Sequence, residues 1–410
     1  STIAATTAYA GGTTYALGDI CTYSGVYYYS KQDGNVGHQP DISSTYWLPL
    51  ATSGSSVLVE IPTPWSESDL PLLKFTQSAD VMTVCHPNYP PYDIARVAAD
   101  RWTCRQSTIE LGPFNDVNED TTLTVYASAV SGSVTITSNA AIFKATDVGR
   151  LFYIAQQDYG QAWRSGESIG GSGTIRRAYG NYYSSAAAGT TGYDPPQNDA
   201  NKWNDGGVSW TFLHPGFGIA RITAVAGDFK SCTATVISRI PDAHIGAGNT
   251  SYKWSKGAWC SENGYPSCTT YHQQRQVFAG SLADPQTIWL SKTGDFSNFG
   301  KCAILKDSDA LVYPIDGRMV SSIKHVMTMG ADLIAFSSDS EWSVSAPNDG
   351  ALTPTDVLAK FQGFRGCSDL APIVIGDMAL FVQSKGQIVR DLGYDYLKNV
   401  FTGVDLTRYA

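Results

Sequence analysis

The stretch Tyr271–Phe299, YHQQRQVFAGSLADPQTIWLSKTGDFSNF, contains a unit that recurs along the chain. Two short apolar runs, Gln276–Ala279 and Thr287–Leu290, flank a polar turn that contains Asp284-Pro285. This pattern predicts two antiparallel strands joined by a hairpin. The same pattern recurs in three further places: Val81–Cys85 with Ile94–Val97, Leu333–Phe336 with Glu341–Val344, and Ala379–Val382 with Gln387–Val389.

The spacing of these copies is close to that of propeller blades. Val277 and Leu333 are 56 residues apart, and Leu333 and Leu380 are 47 apart, whereas a four-stranded blade takes roughly 40 to 50 residues. The earliest copy, at Val81, precedes Val277 by 196 residues, so a large insertion separates the first two copies. We therefore predict an all-β protein with a β-propeller-like body and a β-rich insertion domain. Unrelated hairpins in an ordinary β-sandwich are the alternative.

The composition indicates strands and turns, and the charge limits the class of partner. Of the 410 residues, 43% are hydrophobic and 16% charged, with 39 Gly, 23 Tyr and 10 Trp, which favours strands over long helices. The formal net charge of −9 argues against stable nucleic-acid binding, because such binding depends on neutralising phosphates. Transient passage of DNA is compatible with this negative charge, because an acidic surface does not bind phosphate tightly. No apolar run reaches the roughly 18 residues of a membrane span.

Two short aromatic-rich segments share one spacing. The first, residues 11–50, turns at Ser24-Gly25, and the second, residues 171–213, repeats its Gly-x-Tyr-Tyr motif from Gly180. The first segment resembles the small chitin-binding type of carbohydrate-binding module, in which exposed rings stack on sugars. The matching rings are candidate glycan-binding residues in the two segments: Tyr15, Tyr28, Trp47, Tyr182, Tyr183 and Trp210. The alternative is that these rings form the core of modules too short to bury much else.

These patterns divide the chain into four parts. We predict a small β module at 1–52, a first propeller segment at 53–104, a β insertion domain at 105–260 that contains the second module at 171–213, and propeller blades at 261–410. Thr63–Leu72 in the first propeller segment predicts a turn or a short helix, and Ser66, with Asp69 three residues later, is the candidate N-cap of that helix. The chain opens at Ser1 inside an apparent module, without a signal peptide, so we expect an N-terminal portion to be missing.

Six segments together resemble the tail nozzle protein of short-tailed bacteriophages, also called tail tubular protein B. They span much of residues 57–410: Leu73–Pro87, Gly112–Phe114, Ile142–Phe152, His272–Phe299, Asp349–Thr355 and Gly366–Leu406. By this resemblance we expect the usual N-terminal portion of the family, and a portion after Ala410, to be missing from the sequence. The resemblance implies a propeller-based subunit of a ring, expected to be hexameric, at the distal end of the virion tail.

The function that this resemblance implies is mechanical. Such a ring docks on a tail adaptor protein, contacts tail fibres or spikes, holds the genome in until adsorption and then lets DNA pass. We therefore expect a homo-oligomeric structural protein of the virion, assembled in the host cytoplasm, with no cofactor. A closed ring needs heterologous interfaces, and an acidic subunit suits a lumen through which polyphosphate slides. Binding of a host surface glycan through the two modules is the alternative function.

The sequence contains no familiar catalytic motif. It has no G-x-S-x-G elbow, H-E-x-x-H pair, P-loop or dinucleotide fingerprint. Two groups contain side chains that catalysts use: His272, Ser291 and Asp295 as a triad, and Asp339, Glu341 and Asp349 as carboxylates near one hairpin. Strands and acidic turns explain both groups equally well. We predict that the protein is not an enzyme, with hydrolysis of polysaccharide or cell wall as the lesser alternative.

The eight cysteines are scattered without a C-x-x-C pair, which does not suggest a disulfide scaffold. One group, Cys260-x7-Cys268-x3-His272, has residue types that bind metals. Its spacing fits no common zinc site, so we predict no metal.

Overall fold

The structure of the chain is a computed structural model that describes residues 7–52, 60–98, 101–199, 202–302, 305–317, 321–347 and 350–408. Regular structure in these ranges is almost entirely β-strand, which confirms the all-β prediction. The helical structure within them is three short 3₁₀ segments: Glu67–Leu72, Ala145–Asp147 and Asp242–His244. No helix of the described chain is long and apolar enough to cross a membrane.

The first module is a three-stranded antiparallel sheet: β1 (Ile20–Tyr23), β2 (Val26–Ser30) and β3 (Trp47–Thr52). Ser24 and Gly25 join the first two strands with φ values of 50° and 75°. Positive φ at both positions is the geometry of a two-residue type I′ hairpin turn. The core of the module consists largely of aromatic rings around Cys21: Tyr15, Tyr28 and Trp47.

The chain then forms a four-stranded sheet, called sheet 1: β4 (Lys74–Ser78), β5 (Val81–His86), β6 (Tyr89–Arg96) and β7 (Trp102–Gln106). The 3₁₀ segment Glu67–Leu72 precedes it. The Asp69 carboxylate accepts a hydrogen bond from the Ser66 backbone N–H at 2.8 Å, so the predicted helix start is confirmed. Sheet 1 contacts the first module through Tyr29, whose hydroxyl donates to the Trp102 carbonyl.

The next part of the chain begins a second β unit with three strands: β8 (Val125–Ala127), β9 (Ser133–Ser138) and β10 (Leu151–Ala155). After β10 the chain leaves this unit to form the second module. The module has six short strands: β11 (Ser168–Ile169), β12 (Ile175–Ala178), β13 (Asn181–Ser185), β14 (Gly189–Thr190), β15 (Lys202–Asn204) and β16 (Ser209–His214).

The second module repeats the hairpin of the first down to the strand register. Tyr179 and Gly180 join β12 to β13 with φ values of 48° and 81°. Trp210 pairs with Ser185 in the second module, as Trp47 pairs with Ser30 in the first. Each serine is the fifth residue after the glycine of its hairpin. The internal repeat read from the sequence therefore extends to the backbone pairing.

The chain returns from the module to complete a six-stranded sheet with β17 (Phe217–Val225), β18 (Ser231–Ser238) and β19 (Trp254–Lys256). The strand order is β19-β10-β17-β18-β9-β8. Isolated bridges join Val125 to Ser251 and Ala127 to Ile245, so the last strand of the sheet approaches the chain that leads into the first. The sheet is a half-barrel around an apolar core that includes Ile136, Phe152, Ile154 and Ile222.

Three further four-stranded sheets follow. Sheet 2 contains β20 (Cys268–His272), β21 (Arg275–Ala279), β22 (Thr287–Leu290) and β23 (Leu311–Pro314). Sheet 3 contains β24 (Ile323–Met329), β25 (Asp332–Ser337), β26 (Glu341–Ser345) and β27 (Leu358–Gly363). Sheet 4 contains β28 (Ile373–Ile375), β29 (Met378–Val382), β30 (Val389–Asp395) and β31 (Val400–Thr402).

All four sheets are antiparallel meanders whose strands follow chain order. The predicted hairpins form their central strand pairs: β5 with β6, β21 with β22, β25 with β26, and β29 with β30. The hairpin prediction is therefore confirmed in all four places. Its physical basis is the alternation of apolar residues over short runs bounded by turn residues.

The four sheets pack face to face in chain order. Phe278 of β21 packs against Cys85 of sheet 1, while its neighbours Val277 and Ala279 face a core shared with sheet 3. The same alternation on β25 places Phe336 in a core shared with sheet 4. The series also curves, because the Lys74 Nζ of β4 donates a 2.6 Å hydrogen bond to the Lys324 carbonyl of β24.

The series is open at sheet 4. Ala379 and Phe381 of β29 face sheet 3 and are buried, whereas Ile373, Ile375 and Met378 are exposed. The described residues therefore form an open stack of four sheets, and a closed propeller is not present among them. The blade-sized repeats are correct as four-stranded units, but the described contacts end at the fourth.

Candidate functional site

The six candidate glycan-binding rings are all buried. None of them is more than 8% exposed: Tyr15, Tyr28, Trp47, Tyr182, Tyr183 and Trp210. A ring that stacks on a sugar must offer an exposed face, so the assignment of these six residues as sugar platforms is corrected to core residues. The physical reason is size, because modules of about 40 residues have few other large side chains with which to exclude water.

A buried carboxylate holds two indole rings in the second module. Asp205 Oδ2 accepts hydrogen bonds from Nε1 of Trp163 at 3.0 Å and Nε1 of Trp210 at 2.8 Å. Its Oδ1 accepts from three backbone N–H groups, those of Gly192, Gly207 and Val208. Burial raises the pKa of Asp205, but the hydrogen bonds outweigh burial and the pKa falls to about 2. Asp205 is therefore a structural anion whose lone pairs are occupied.

The three residues of the possible triad do not form one. Burial lowers the pKa of His272 to about 4, so its imidazole is neutral near pH 7. The side chain of each residue bonds to a group outside the triad: His272 to Thr328, Ser291 to the Lys292 carbonyl, and Asp295 to Ser297. A catalytic serine and histidine need to share a hydrogen bond, and these two bond elsewhere.

Two of the carboxylates near the β25–β26 hairpin, Asp339 and Glu341, are hydrogen-bonded or buried within the fold. Asp339 accepts hydrogen bonds from the hydroxyls of Ser337 and Ser340. Glu341 is fully buried, and burial raises its pKa to about 7 although Arg365 lies nearby. A carboxyl without exposed surface does not reach a bound polysaccharide. Asp349, the third member, lies outside the described residues.

The cysteines are separate thiols. All eight are free, and most of them are buried. Within the described ranges no group of three or more His, Cys, Asp or Glu residues is placed to hold a metal ion. The Sγ of Cys260 accepts from the Asn263 backbone, whereas the Sγ of Cys268 approaches the Ala279 carbonyl.

A cleft of about 300 Å³ lies between sheets 1 and 2. The carboxylate that lines it, Asp93, accepts a 2.8 Å hydrogen bond from the Thr83 hydroxyl. Its other walls include Tyr271 and Phe296, whose rings pack at 5.1 Å.

Sheet 4 has exposed apolar side chains on one face of its first two strands. Ile373 pairs with Leu380, and Ile375 pairs with Met378, so these four side chains share the face that points away from sheet 3. Ile373, Ile375 and Met378 are between 49% and 59% exposed. We call these four residues, with Val382, the outer face of sheet 4. Sequence reasoning missed it, because its alternation is the same as that of the covered faces.

Comparisons with models of known protein families and with curated proteins found no match to this chain. The likeness to the tail nozzle family therefore depends on the segments quoted above.

Proposed function

We propose that this protein is a structural subunit of a bacteriophage tail nozzle, in which copies assemble into a ring that gates and conducts DNA. In this proposal the four meanders are blades of a propeller-like body. The half-barrel and the two modules are decorations on that body, and the protein acts without a catalytic centre or cofactor.

The observation that carries the proposal is the outer face of sheet 4. Its five residues continue the apolar alternation that elsewhere packs one sheet against the next. Ile373, Ile375 and Met378 are nevertheless exposed, and Leu380 and Val382 are only partly buried. Contiguous exposed apolar surface on a folded protein marks a contact site. We assign its cover to a neighbouring copy. Such a contact is heterologous, since sheet 4 of one copy meets a different surface of the next, and repeated heterologous contacts generate a ring when the rotation closes.

The charge of the chain fits a conduit. With a net charge of −9 per copy, a ring of several copies would be strongly acidic as a whole. Polyphosphate near such a surface is repelled and does not dwell there. A conduit must release DNA quickly, so this property favours passage over storage. In the same proposal, a tail adaptor protein holds the ring on the virion, and tail fibres or spikes attach at its periphery.

The test is electron microscopy of the purified protein, alone and mixed with the tail adaptor encoded by the same phage genome. We expect a closed ring, with the adaptor acting as a template, and a central channel wide enough for duplex DNA. Particles that stay monomeric at micromolar concentration with the adaptor present would overturn the proposal.

A further inference from the structure

The hairpins of the two modules have the same backbone arrangement, so residues of one module can be matched to residues of the other. In the first module the Tyr9 backbone N–H donates to the Thr22 carbonyl at 2.8 Å. In the second module the Trp163 N–H donates in the same way to the Arg177 carbonyl at 2.9 Å. Both contacts belong to a short parallel bridge against the first hairpin strand. Trp163 therefore matches Tyr9, and Arg177 matches Thr22.

At one matched position the two modules have different residues, and the second module has a cavity at that position. In the first module Tyr23 packs edge-on against Tyr9, with ring centroids 5.8 Å apart. The position that matches Tyr23 is Ala178, which has no ring to place against Trp163. A cavity of about 390 Å³ that is open to solvent lies there, and its walls include Trp163, Arg177, Ala178, Tyr179 and Pro195. Its volume lies within the range of small-molecule sites.

The rim of this cavity carries an aromatic residue in an unusual place. Tyr179 occupies the first turn position with a φ of 48° and is 57% exposed. Its match in the first module is Ser24, with a φ of 50°. Bulky side chains seldom occupy the left-handed region, and residues that do so concentrate at functional sites. The second module thus places an exposed ring at a position where the first has a small polar residue.

Positive charge stands beside the same cavity. The Arg177 guanidinium lies 4.9 Å from the ring centroid of Tyr159, and the Lys253 ammonium lies 5.9 Å from it. In the part of the chain that the structure describes, neither cation has a carboxylate within 4.0 Å, whereas the adjacent Arg176 pairs with Glu167 at 2.6 Å. Arg177 Nε is also buried without a hydrogen-bond partner.

Acidic residues flank the cavity as well, but they face water. Asp158 and Asp194 adjoin Tyr159 and Pro195 in the sequence, and both are exposed. Their fields are screened by solvent and salt. Arg177 lines the cavity itself, so its charge acts on a bound ligand at shorter range.

We propose that this cavity of the second module binds a saccharide unit that carries a carboxylate or sulfate group. The aromatic walls offer flat apolar surface to the C–H face of a sugar ring, and Arg177 offers charge-assisted hydrogen bonds to the anionic group. The residues of this site differ from the six buried rings, and in the first module the ring of Tyr23 stands at the position that matches Ala178. The proposal does not depend on ring assembly, because a single copy contains the whole site.

The experiment is titration calorimetry of the full chain with two sets of oligosaccharides. The acidic set contains glucuronic acid–N-acetylglucosamine and sulfated galactose oligomers, and the neutral set contains N-acetylglucosamine and galactose oligomers of equal length. We expect measurable binding of at least one acidic oligomer, at least tenfold tighter than that of its neutral counterpart.

Three variants import residues of the first module into the second. Ala178→Tyr fills the cavity and Tyr179→Ser removes the rim ring, so each should weaken binding at least tenfold. Arg177→Thr should abolish the preference for the acidic oligomer. Tyr396→Ser, at an exposed turn of sheet 4, is the control and should bind as the parent does. Far-UV circular dichroism and the unfolding midpoint check that each variant is folded.

The results separate the parts of the proposal. Binding that survives Ala178→Tyr in a folded protein would place the sugar elsewhere and overturn the site. Equal binding of both sets would overturn the role of charge, and an absence of binding to every acidic oligomer would overturn the ligand class. None of these results bears on whether the protein forms a ring.

Discussion

Asp205 is the residue on which the packing of the second module most depends. Its five hydrogen bonds connect two indole rings to three backbone N–H groups. We expect Asp205→Asn to lower the free energy of unfolding of the module by about 1–3 kcal/mol, because one amide oxygen replaces two carboxylate oxygens and leaves buried donors unpaired. Denaturation followed by tryptophan fluorescence measures it, since Trp163 and Trp210 report on the site directly.

The same residue sets a pH dependence. The pKa of Asp205 is lowered to about 2 from an ordinary value of 3.8, so its ionised form stabilises the fold. This contribution is present above about pH 4 and is lost as the pH falls toward 2. The exposed Asp199→Asn in the same module is the matched control. Equal effects of the two substitutions at pH 7 would contradict the role given to Asp205.

Glu341 should produce a pH dependence of the opposite sign. Burial raises its pKa to about 7 from an ordinary value of 4.5, so the native state retains a proton that the unfolded chain releases. Stability therefore falls as the pH rises from about 4.5 through 7. Glu341→Gln should remove this fall, an effect of up to about 3 kcal/mol between pH 5 and pH 8. Denaturant titrations at both pH values measure it.

A control for this prediction is Glu119→Gln, which changes an exposed carboxylate. It should leave the dependence of stability on pH close to that of the parent. If Glu341→Gln and the parent lose the same stability between pH 5 and pH 8, the buried carboxyl is not the source.

At the scale of elements, the central strands of sheets 2 and 3 are buried on both faces. Phe336 of β25 is fully buried and its ring lies 5.2 Å from that of Phe381 in sheet 4. Phe336→Ala should cost about 3–5 kcal/mol of unfolding free energy, the usual loss for a buried phenylalanine. Equilibrium denaturation measures it. Phe364→Ala, a change of an exposed ring nearby, should cost less than about 1 kcal/mol, and a similar loss in both variants would contradict the stacking described here.

The hairpins were the most predictable elements because their signals are local. The runs around Val277, Leu333 and Leu380 alternate or remain apolar over a few residues and are bounded by turn residues. Such runs form strands whatever lies beyond them. The type I′ turn at Ser24-Gly25 is equally local. The stacking order of the sheets was not predictable in this way, because it depends on contacts between strands far apart in the chain.

At the scale of the whole molecule, assembly should depend on the outer face of sheet 4. Ile375→Asp places a charge on this exposed face without disturbing a core. In a ring the same charge would be buried in the subunit contact, where an unpaired carboxylate is costly. We expect the variant to fold with an unchanged unfolding midpoint and to form no rings with the adaptor. Analytical ultracentrifugation and electron microscopy distinguish the folded monomer from assembled rings.

The control for assembly is Leu397→Asp, which changes a highly exposed residue at the β30–β31 turn of the same sheet. It should assemble as the parent does. Rings of Ile375→Asp at parental yield would remove the outer face from the interface, and failure of both variants would point to a general effect of charge on this sheet.

Local order along the chain was enough to predict an all-β protein, its four central hairpins and the repeated module. Strand periodicity and turn chemistry act over a few residues, so they can be read directly. The acidic net charge follows from composition alone.

Tertiary packing decided which side chains of these strands are exposed to solvent. Trp210 is buried because Asp205 and Trp163 close around it, and Ile375 is exposed because no described sheet covers it, although both belong to ordinary strand patterns. The cavity beside Ala178 likewise depends on tertiary packing, because Ala178 places no ring against Trp163. Burial is set by neighbours that are distant in sequence, so an alternating strand looks the same whether or not a partner lies against it.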